Sequence, residues 1–272
     1  MTEATLGGDN ARFWDELCGS TLARTLGISD HSPASLQRFD DWYFRFYPYL
    51  ARHVPFPNVA DKRVLEVGLG YGSVGERLAR AGADYHGLDI AAGPVAMLNL
   101  RLARLGLRAS AQQGSVLDCP FPDASFDHVV AIGCYHHTGD IGRALDETWR
   151  ILKPGGEAWI MVYHAYSYRR WLRFPATTFA QWRWEYLGGA APGKASAAER
   201  RAYDADSQGN AAPETAFLSR RQLKQLCARF RGFEARLENA SLGHLDQLVP
   251  RALQLATLGR LAGLDVYLHL TK

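Results

Sequence analysis

The hydrophobic pattern of this 272-residue chain changes at residue 63, and this change constrains the fold more than any other feature. From there, short apolar runs alternate with amphipathic helical stretches, most clearly VGERLARAG, VAMLNLRLARLG and IGRALDETWRILK. Because parallel neighbours need crossover helices, the alternation predicts an α/β fold with a doubly wound, mostly parallel sheet. The seven predicted strands are residues 63–67, 84–89, 108–113, 126–133, 157–164, 233–239 and 264–270.

Two further regions flank and interrupt this predicted sheet. Residues 1–60 space their apolar side chains as helices do, and we expect them to form an N-terminal helical cap. Residues 165–231 separate the fifth predicted strand from the sixth and begin with a dense group of aromatic side chains. The sheet-bearing core is then expected to comprise residues 61–164 and 232–272.

Charge and cysteine usage exclude several classes of function. The chain has 31 basic and 28 acidic side chains, a net charge of +3, which is too close to balance for a dedicated nucleic-acid binder. Its cysteines form no CxxC pair and favour neither a metal site nor a disulfide framework; they are Cys18, Cys119, Cys134 and Cys227. No run approaches the ~20 apolar residues of a membrane span. We therefore expect a cytoplasmic protein that acts on a small molecule, without metal, nucleic acid or membrane, in an oligomeric state that stays open.

The segment VLEVGLGYGSVGERLAR, residues 64–80, is an apolar strand that enters a glycine-rich turn and opens a helix. Gly68, Gly70 and Gly72 have no side chains, so the backbone can approach a nucleotide-like ligand closely. Asp89 ends the next predicted strand, where a carboxylate can accept two hydrogen bonds from a ribose diol. The turn also satisfies G-x-G-x-x-G, the dinucleotide fingerprint. These residues alone leave both NAD and S-adenosylmethionine open.

The chain on either side of the turn decides between the two ligands by resemblance. Glu66 extends the turn to E-x-G-x-G-x-G, and GSVLDCPFPDASFDHVVAIGCYHH (114–137) and RILKPGGEAWIMV (150–162) follow in order. Over residues 62–164 the chain closely resembles the class I S-adenosylmethionine-dependent methyltransferases, in particular small-molecule enzymes akin to the ubiquinone-biosynthesis methyltransferases. The resemblance implies methyl transfer to an oxygen, or alternatively a nitrogen, of a metabolite, with S-adenosylhomocysteine as product. Natural-product or glycan biosynthesis is a candidate setting.

Two other functions stay open beside methyl transfer. An NAD-dependent oxidoreductase agrees with the literal glycine motif, although nothing downstream supplies its chemistry. A module that binds S-adenosylmethionine without catalysis agrees with the same cofactor residues. Affinity for nicotinamide nucleotides would favour the first, and cofactor binding without turnover the second.

The resemblance also implies which residues hold the cofactor. Those residues are Glu66, Gly68, Gly70, Gly72, Asp89, Ile90, Ser115, Val116, Ala131 and Ile132. Glu66 and the glycines would hold the methionine end, Asp89 the ribose, and Ile90 one side of the adenine. Ser115 and Val116 stand where the family usually has an aspartate and a small residue, so the Ser115 hydroxyl would meet the adenine amino group. Ala131 and Ile132 would close the pocket from the fourth strand, and LKPGG would be the turn before the fifth.

The adjacent His136 and His137 follow the fourth predicted strand, at the edge where open α/β sheets bind ligands. Successive strand residues point to opposite faces, so the pair is not expected to share a metal ion. In the similar phosphoethanolamine methyltransferases, a histidine at the position of His136 pairs with a tyrosine from the N-terminal helix. Tyr43 and Tyr47 are the candidates for that tyrosine. We expect His136, and after it His137, to act as the catalytic base, with a packing role as the alternative for both.

In this family an insertion at residues 165–231 typically covers the active site and selects the substrate, together with the N-terminal helices. Eight aromatic side chains lie near its start, namely Tyr166, Tyr168, Trp171, Phe174, Phe179, Trp182, Trp184 and Tyr186. Most are expected to pack the insertion against the sheet, and some to line an apolar substrate pocket.

Overall fold

The computed structural model describes residues 3–16, 20–107, 109–191, 193–243 and 248–272. Cys18, and Arg108 at the start of the predicted third strand, lie outside the described residues. The seven strands are β1 (Arg63–Val67), β2 (Asp84–Asp89), β3 (Ser110–Gln113), β4 (Phe126–Ile132), β5 (Leu152–Tyr163), β6 (Gly232–Glu238) and β7 (Asp265–Thr271).

Helices precede, connect and follow these strands. The described α-helices are α1 (Glu3–Trp14), α2 (Ser20–Thr25), α3 (Pro33–Phe46), α4 (Leu50–His53), α5 (Ser73–Arg80), α6 (Ala92–Arg104), α7 (Ile141–Ile151), α8 (Tyr168–Arg173), α9 (Pro175–Leu187), α10 (Ala197–Arg201), α11 (Arg220–Leu226), α12 (Arg251–Gln254) and α13 (Arg260–Ala262). Short 3₁₀ turns cover Phe56–Asn58, Val116–Asp118 and Tyr135–His137. Within the described ranges, no helix is both long and apolar enough to cross a membrane.

The sheet runs in the order β3-β2-β1-β4-β5-β7-β6. The first five of these strands are parallel to their neighbours, whereas β7 is antiparallel to both β5 and β6. The predicted α/β class with a seven-stranded, mostly parallel, doubly wound sheet is therefore confirmed. The order reverses at β1, between β2 and β4, and open α/β sheets bind ligands at the carboxyl ends of the strands beside such a reversal.

The expected turn at LKPGG is wrong in one respect, because β5 begins earlier than predicted. Leu152 already pairs with Phe126, and the register then shifts before His128 pairs with Glu157. Gly155 within this stretch has φ of 77°, a left-handed conformation that a glycine adopts without strain. The segment is an irregular, bulged start of the strand and not a separate turn.

Both faces of the sheet are buried, as a parallel sheet covered by crossover helices requires. Along β1, Val64 belongs to the core cluster on one side of the sheet and Leu65 to the cluster on the other. Helix α11, from the inserted region, buries Leu223 in the same cluster as Leu65. The edge formed by the carboxyl ends of β1, β2 and β4 therefore rests on a rigid double-sided core.

Polar contacts fix the N-terminal helices over this edge. Helix α3 begins at Pro33, where the Ser32 hydroxyl accepts a hydrogen bond from the backbone N–H of Ser35. In α1, the Asn10 amide donates to the backbone oxygen of His137 at 2.7 Å. The backbone N–H of Gly93 donates to the Asp15 carboxylate, also at 2.7 Å. The N-terminal helices and the carboxyl ends of the strands thus enclose one space between them.

Candidate active site

A cavity of about 570 Å³ lies at the carboxyl ends of β1, β2 and β4. Its floor is the turn after β1, and its sides are the segments that follow β2, β3 and β4. Side chains of α1 and α3 form the remaining wall. A space of this size, mostly apolar with a few polar groups, suits a small-molecule ligand.

The glycine-rich turn brings bare backbone to the cavity floor. Gly68 and Gly70 line the cavity with φ of 78° and 50°. A Cβ atom on Gly68 would lie 2.6 Å from the Cβ of Cys134, so no larger residue fits there. The prediction for Gly72 is corrected, because Gly72 does not line the cavity. With φ of 79°, it starts α5 instead, and a Cβ there would crowd Arg101.

Asp89 ends β2 with its carboxylate on the cavity wall. One carboxylate oxygen accepts from the backbone N–H of Leu69 at 2.7 Å and the other from that of Ala91 at 2.9 Å. Burial raises the pKa of Asp89, and these backbone donors oppose the rise. Each oxygen keeps a second lone pair, so the oriented carboxylate can accept from two neighbouring hydroxyl groups.

Glu66 lies on the same wall, one strand away from Asp89. Its carboxyl accepts a hydrogen bond from the Tyr85 hydroxyl at 2.5 Å. Burial raises the pKa of Glu66 to about 8, although the bond from Tyr85 opposes the rise. An ammonium group placed in the cavity would favour the ionised carboxylate and lower that pKa.

Apolar side chains and one hydroxyl side chain line the cavity besides Glu66 and Asp89. Ile90, Ser115, Val116 and Ile132 all line the cavity, as the resemblance implies. The Ser115 hydroxyl accepts from the backbone N–H of Leu117 at 3.1 Å. The prediction for Ala131 is wrong, because it is fully buried in the core cluster of the sheet and does not reach the cavity. Successive strand side chains alternate between faces, so Ile132 and Ala131 cannot both face the ligand.

His136 is not on the cavity wall, against the expectation that it is the catalytic base. Its side chain is buried against the rings of Tyr163 and His137, at centroid distances of 4.1 Å each. Neither ring nitrogen has a hydrogen-bond partner among the described residues. Burial holds the pKa of His136 well below its usual value, so the imidazole is neutral and a poor proton acceptor.

His137 lines the cavity, but with its ring and not with a free nitrogen. Its Nδ1 donates to the backbone oxygen of Glu214 at 2.7 Å. Its Nε2 is buried 3.6 Å from a carboxylate oxygen of Asp204, whose other oxygen accepts from the Tyr163 hydroxyl. Both nitrogens are thus turned toward the inserted region, and in this arrangement neither reaches a methyl acceptor.

A model of the family described as "Methyltransferase domain" matches residues 65–160. The Fatty-acid O-methyltransferase of Mycolicibacterium smegmatis is 39% identical over 101 residues, which cover 36% of this chain and 36% of that protein. The Ubiquinone biosynthesis O-methyltransferase of Azorhizobium caulinodans is 32% identical over 94 residues, 35% of this chain and 37% of that protein. The match thus spans little more than a third of the length of these two relatives.

The whole fold was also compared with solved structures. An S-adenosylmethionine-dependent methyltransferase from Thermotoga maritima superposes with a TM-score of 0.51 over 87% of this chain and 98% of that one, at 19% identity. Residues 65–160 therefore carry a methyltransferase domain, and the sheet has the fold of the S-adenosylmethionine-dependent methyltransferases. This confirms the family resemblance inferred from residues 62–164.

The cavity of this methyltransferase fits the family's cofactor chemically. S-adenosylmethionine carries an ammonium group and a sulfonium centre, and Glu66 and Asp89 supply two carboxyls to a largely apolar space. The turn brings Gly68 and Gly70, which have no side chains, to the cavity lining, so the backbone is open to the ligand there. The donors and acceptors present are those that a nucleoside joined to an amino acid requires.

The two tyrosines proposed as partners of a histidine lie in different places. Tyr43 lines the methyltransferase cavity from α3, beside Phe39, with ring centroids 6.2 Å apart. Tyr47 follows the end of α3 and packs among Trp42, Phe46 and Tyr43, away from the cavity lining. Of the predicted pair, only Tyr43 is placed to contact a ligand.

Several cavity residues were missed by the sequence reasoning. Asn10 and Trp14 contribute from α1, and the Trp14 ring lies 4.7 Å from the ring of His137. Asp118 places a carboxylate near Ser115, and Cys134 donates its thiol proton to the backbone oxygen of Val67. Asp118 has a local signal, since it lies three residues after Ser115 in the same motif; for the α1 residues no sequence spacing points to this contact.

The inserted region does not contribute to the cavity lining among the described residues, although a substrate cap is expected there. Its influence on the methyltransferase site is indirect, through the contacts of Asp204 and Glu214 with His137. Arg170 of α8 is buried in an ion pair with Glu199 at 3.1 Å. Helices α1 and α3, and not the inserted region, form the wall of the cavity opposite the strand ends.

Proposed function

We propose that this protein binds S-adenosylmethionine in the cavity and transfers the methyl group to an oxygen atom of a small, largely apolar molecule. The observation that carries the proposal is that Glu66 and Asp89, near the ends of adjacent strands, line the same cavity as the glycine-rich turn. When bound, S-adenosylmethionine supplies an electrophilic methyl group on a positively charged sulfur. The protein then has to orient the two reactants and exclude water.

In this proposal each cavity residue has a defined task. Glu66 accepts from the ammonium group of the methionine end, and Asp89 accepts from the two ribose hydroxyls. Ile90 and Val116 pack against the adenine. The adenine amino group meets an acceptor oxygen of Ser115 or Asp118, both of which line that side. Phe39, Tyr43 and Trp14 are left as the walls of an acceptor subsite; all three are aromatic.

We further propose that the acceptor oxygen is ionised before it attacks the methyl group. Both imidazole nitrogens of His137 are engaged or buried, and His136 lies off the wall, so neither of these two histidines is placed to remove a proton. The Cys134 thiol cannot replace them, because burial raises its pKa well above the usual value. A carboxylate or an acidic phenol meets this requirement, and a fatty acid, after which the relative from Mycolicibacterium smegmatis is named, is of this kind. Methylation of a small amine is the alternative.

Turnover with matched acceptors tests the proposal. The protein is incubated with S-adenosylmethionine and with a carboxylic acid, the corresponding alcohol and the corresponding amine, each on the same apolar chain or ring. We expect S-adenosylhomocysteine and a methyl ester from the acid, with little product from the alcohol. Phenol and aniline derivatives extend the comparison. Amine methylation alone would favour the alternative, and hydride transfer from a nicotinamide nucleotide without any methyl transfer would contradict the proposal.

A further inference from the structure

Helices α8 and α9 carry a group of large apolar side chains outside the cavity, all of them exposed except the half-buried Trp182. We call the aromatic face the set Trp171, Leu172, Phe179, Trp182, Tyr186 and Leu187. Leu172 and Leu187 are 78% and 71% exposed, and the Phe179 ring is more than half exposed. The ring centroids of Phe179 and Trp182 are 5.7 Å apart, and those of Trp182 and Tyr186 are 5.8 Å apart, so the rings form one continuous strip.

Helix α9 turns its polar side toward the protein. Thr178 and Gln181 are buried, and the Gln181 amide donates to the backbone oxygen of Phe217 at 3.0 Å. Phe179, Tyr186 and Leu187 face outward on the same helix. A surface helix of a monomeric protein normally has the opposite arrangement, with its apolar stripe toward the core. The inverted arrangement marks an interaction surface, since folding alone gives no reason to expose it.

The segments that carry and adjoin the aromatic face are basic. Residues 165–191 and 216–231 contain nine arginine and lysine side chains and a single carboxylate, Glu185. Two of the nine, Arg170 and Arg229, are paired with carboxylates elsewhere in the chain. Glu185 is occupied, because it accepts from the hydroxyls of Tyr166 and Ser219. Arg183 is exposed within the strip, and the Arg221 guanidinium lies 5.3 Å from the centre of the Tyr186 ring.

We propose that the aromatic face and its surrounding cations dock the protein on the surface of an anionic lipid bilayer. Tryptophan and tyrosine prefer the boundary between headgroups and acyl chains, and nearby arginines attract anionic headgroups. A twofold dimer through this face would instead bring two sets of arginines against each other, which is unfavourable. Helix α8 follows the carboxyl end of β5, so docking would turn the cavity-bearing edge of the sheet toward the lipid. This inference differs from the expectation of no membrane partner and does not depend on the methyl acceptor.

Co-sedimentation with lipid vesicles tests the docking surface. The whole protein is mixed with vesicles of phosphatidylcholine alone and with vesicles that also contain phosphatidylglycerol. We expect pelleting with the anionic vesicles that weakens as salt is added, and much less with the neutral ones. Phe179→Ser and Leu187→Ser are each expected to lower the partition coefficient about tenfold. Arg183→Gln should lower it for anionic vesicles alone.

Leu261 on α13 provides the matched control, because it is 81% exposed outside the aromatic face. Leu261→Ser should bind anionic vesicles as the wild type does, and circular dichroism confirms that each variant is folded. No pelleting with anionic vesicles, equal pelleting with both vesicle types, or an equal loss in Leu261→Ser overturns the proposal. So does a dimer in light scattering that Leu187→Ser dissociates without any effect on vesicle binding, since the face then belongs to a second copy.

Discussion

Arg101 donates hydrogen bonds to both carboxylate oxygens of Asp40, at 2.9 and 3.1 Å, across 61 residues of sequence. The same guanidinium donates to Glu76 at 2.9 Å, and the Arg101 side chain is 1% exposed. One buried cation therefore ties α3 to α5 and α6. Because α3 carries Phe39 and Tyr43, this ion pair holds one wall of the cavity in place.

Arg101→Met is expected to lower the free energy of unfolding by about 3 kcal/mol, because it leaves Asp40 partly buried without its cation. Urea denaturation measures the change. Arg80→Met is the control, since Arg80 pairs with the same Glu76 at an exposed position and its loss should cost about 1 kcal/mol or less. Equal effects of the two substitutions would show that burial of Arg101 does not matter.

Glu66 makes stability depend on pH in a defined direction. Its pKa is raised from 4.5 to about 8, so between these values the folded protein keeps a proton that the unfolded chain has lost. The free energy of unfolding therefore falls as pH rises through this window. Glu66→Gln removes that titration, so from pH 5 to pH 7 the wild type should lose about 2 kcal/mol relative to the variant. Asp265, whose pKa is raised to about 7, titrates in both proteins and cancels in the comparison. Urea denaturation measures both proteins at both pH values. The same difference in the free energy of unfolding between wild type and Glu66→Gln at pH 5 and at pH 7 would contradict the raised pKa of Glu66.

His136→Leu should leave turnover within about threefold of the wild type, whereas loss of a general base costs at least about 100-fold. Stability should change by less than about 1 kcal/mol, because the ring nitrogens removed are buried without partners. His137→Leu is the comparison and should be less stable, since it abolishes the bond to the Glu214 oxygen. A folded His136→Leu protein with a 100-fold slower reaction would restore His136 as the base.

Trp14→Ala should raise the KM for the methyl acceptor about tenfold while changing the cofactor Kd little, because Trp14 contacts the His137 ring and is proposed to form a wall of the acceptor subsite. Steady-state kinetics with the acceptor identified by the matched panel separates the two effects. Phe13→Ala is the matched control, since Phe13 packs edge-on against Trp14 but does not line the cavity. Equal effects on both constants would place Trp14 at the cofactor instead.

The fold and the cofactor side of the cavity were predictable because their signals are local. The central strands β1 and β4 are short, mostly apolar runs, and β1 and β2 have the predicted bounds. Glu66, Gly68 and Asp89 lie at strand ends, where the topology of the sheet fixes their location once the alternation of strands and helices is recognised. The helical stretch IGRALDETWRILK likewise forms α7, where Asp140 accepts from the backbone N–H of Arg143 as an N-cap does.

The acceptor side was not predictable, because it depends on contacts between distant parts of the chain. His136 and His137 lie in a 3₁₀ turn after β4 has ended, so strand alternation does not decide where they point. The orientation of His137 is set by Glu214, 77 residues later, and Trp14 is brought to it by the packing of α1. No local spacing encodes these contacts.

Calorimetric titration with S-adenosylmethionine, on the wild type and on Asp89→Asn, tests the central claim most directly. The wild type should bind, and Asp89→Asn should bind about 10- to 100-fold more weakly, because the amide cannot accept from both ribose hydroxyls. Asp84→Asn is the control, since Asp84 begins the same strand with an exposed side chain and should bind as the wild type does. Binding of NADH but not S-adenosylmethionine by the wild type, or equal affinity in Asp89→Asn, would contradict the account.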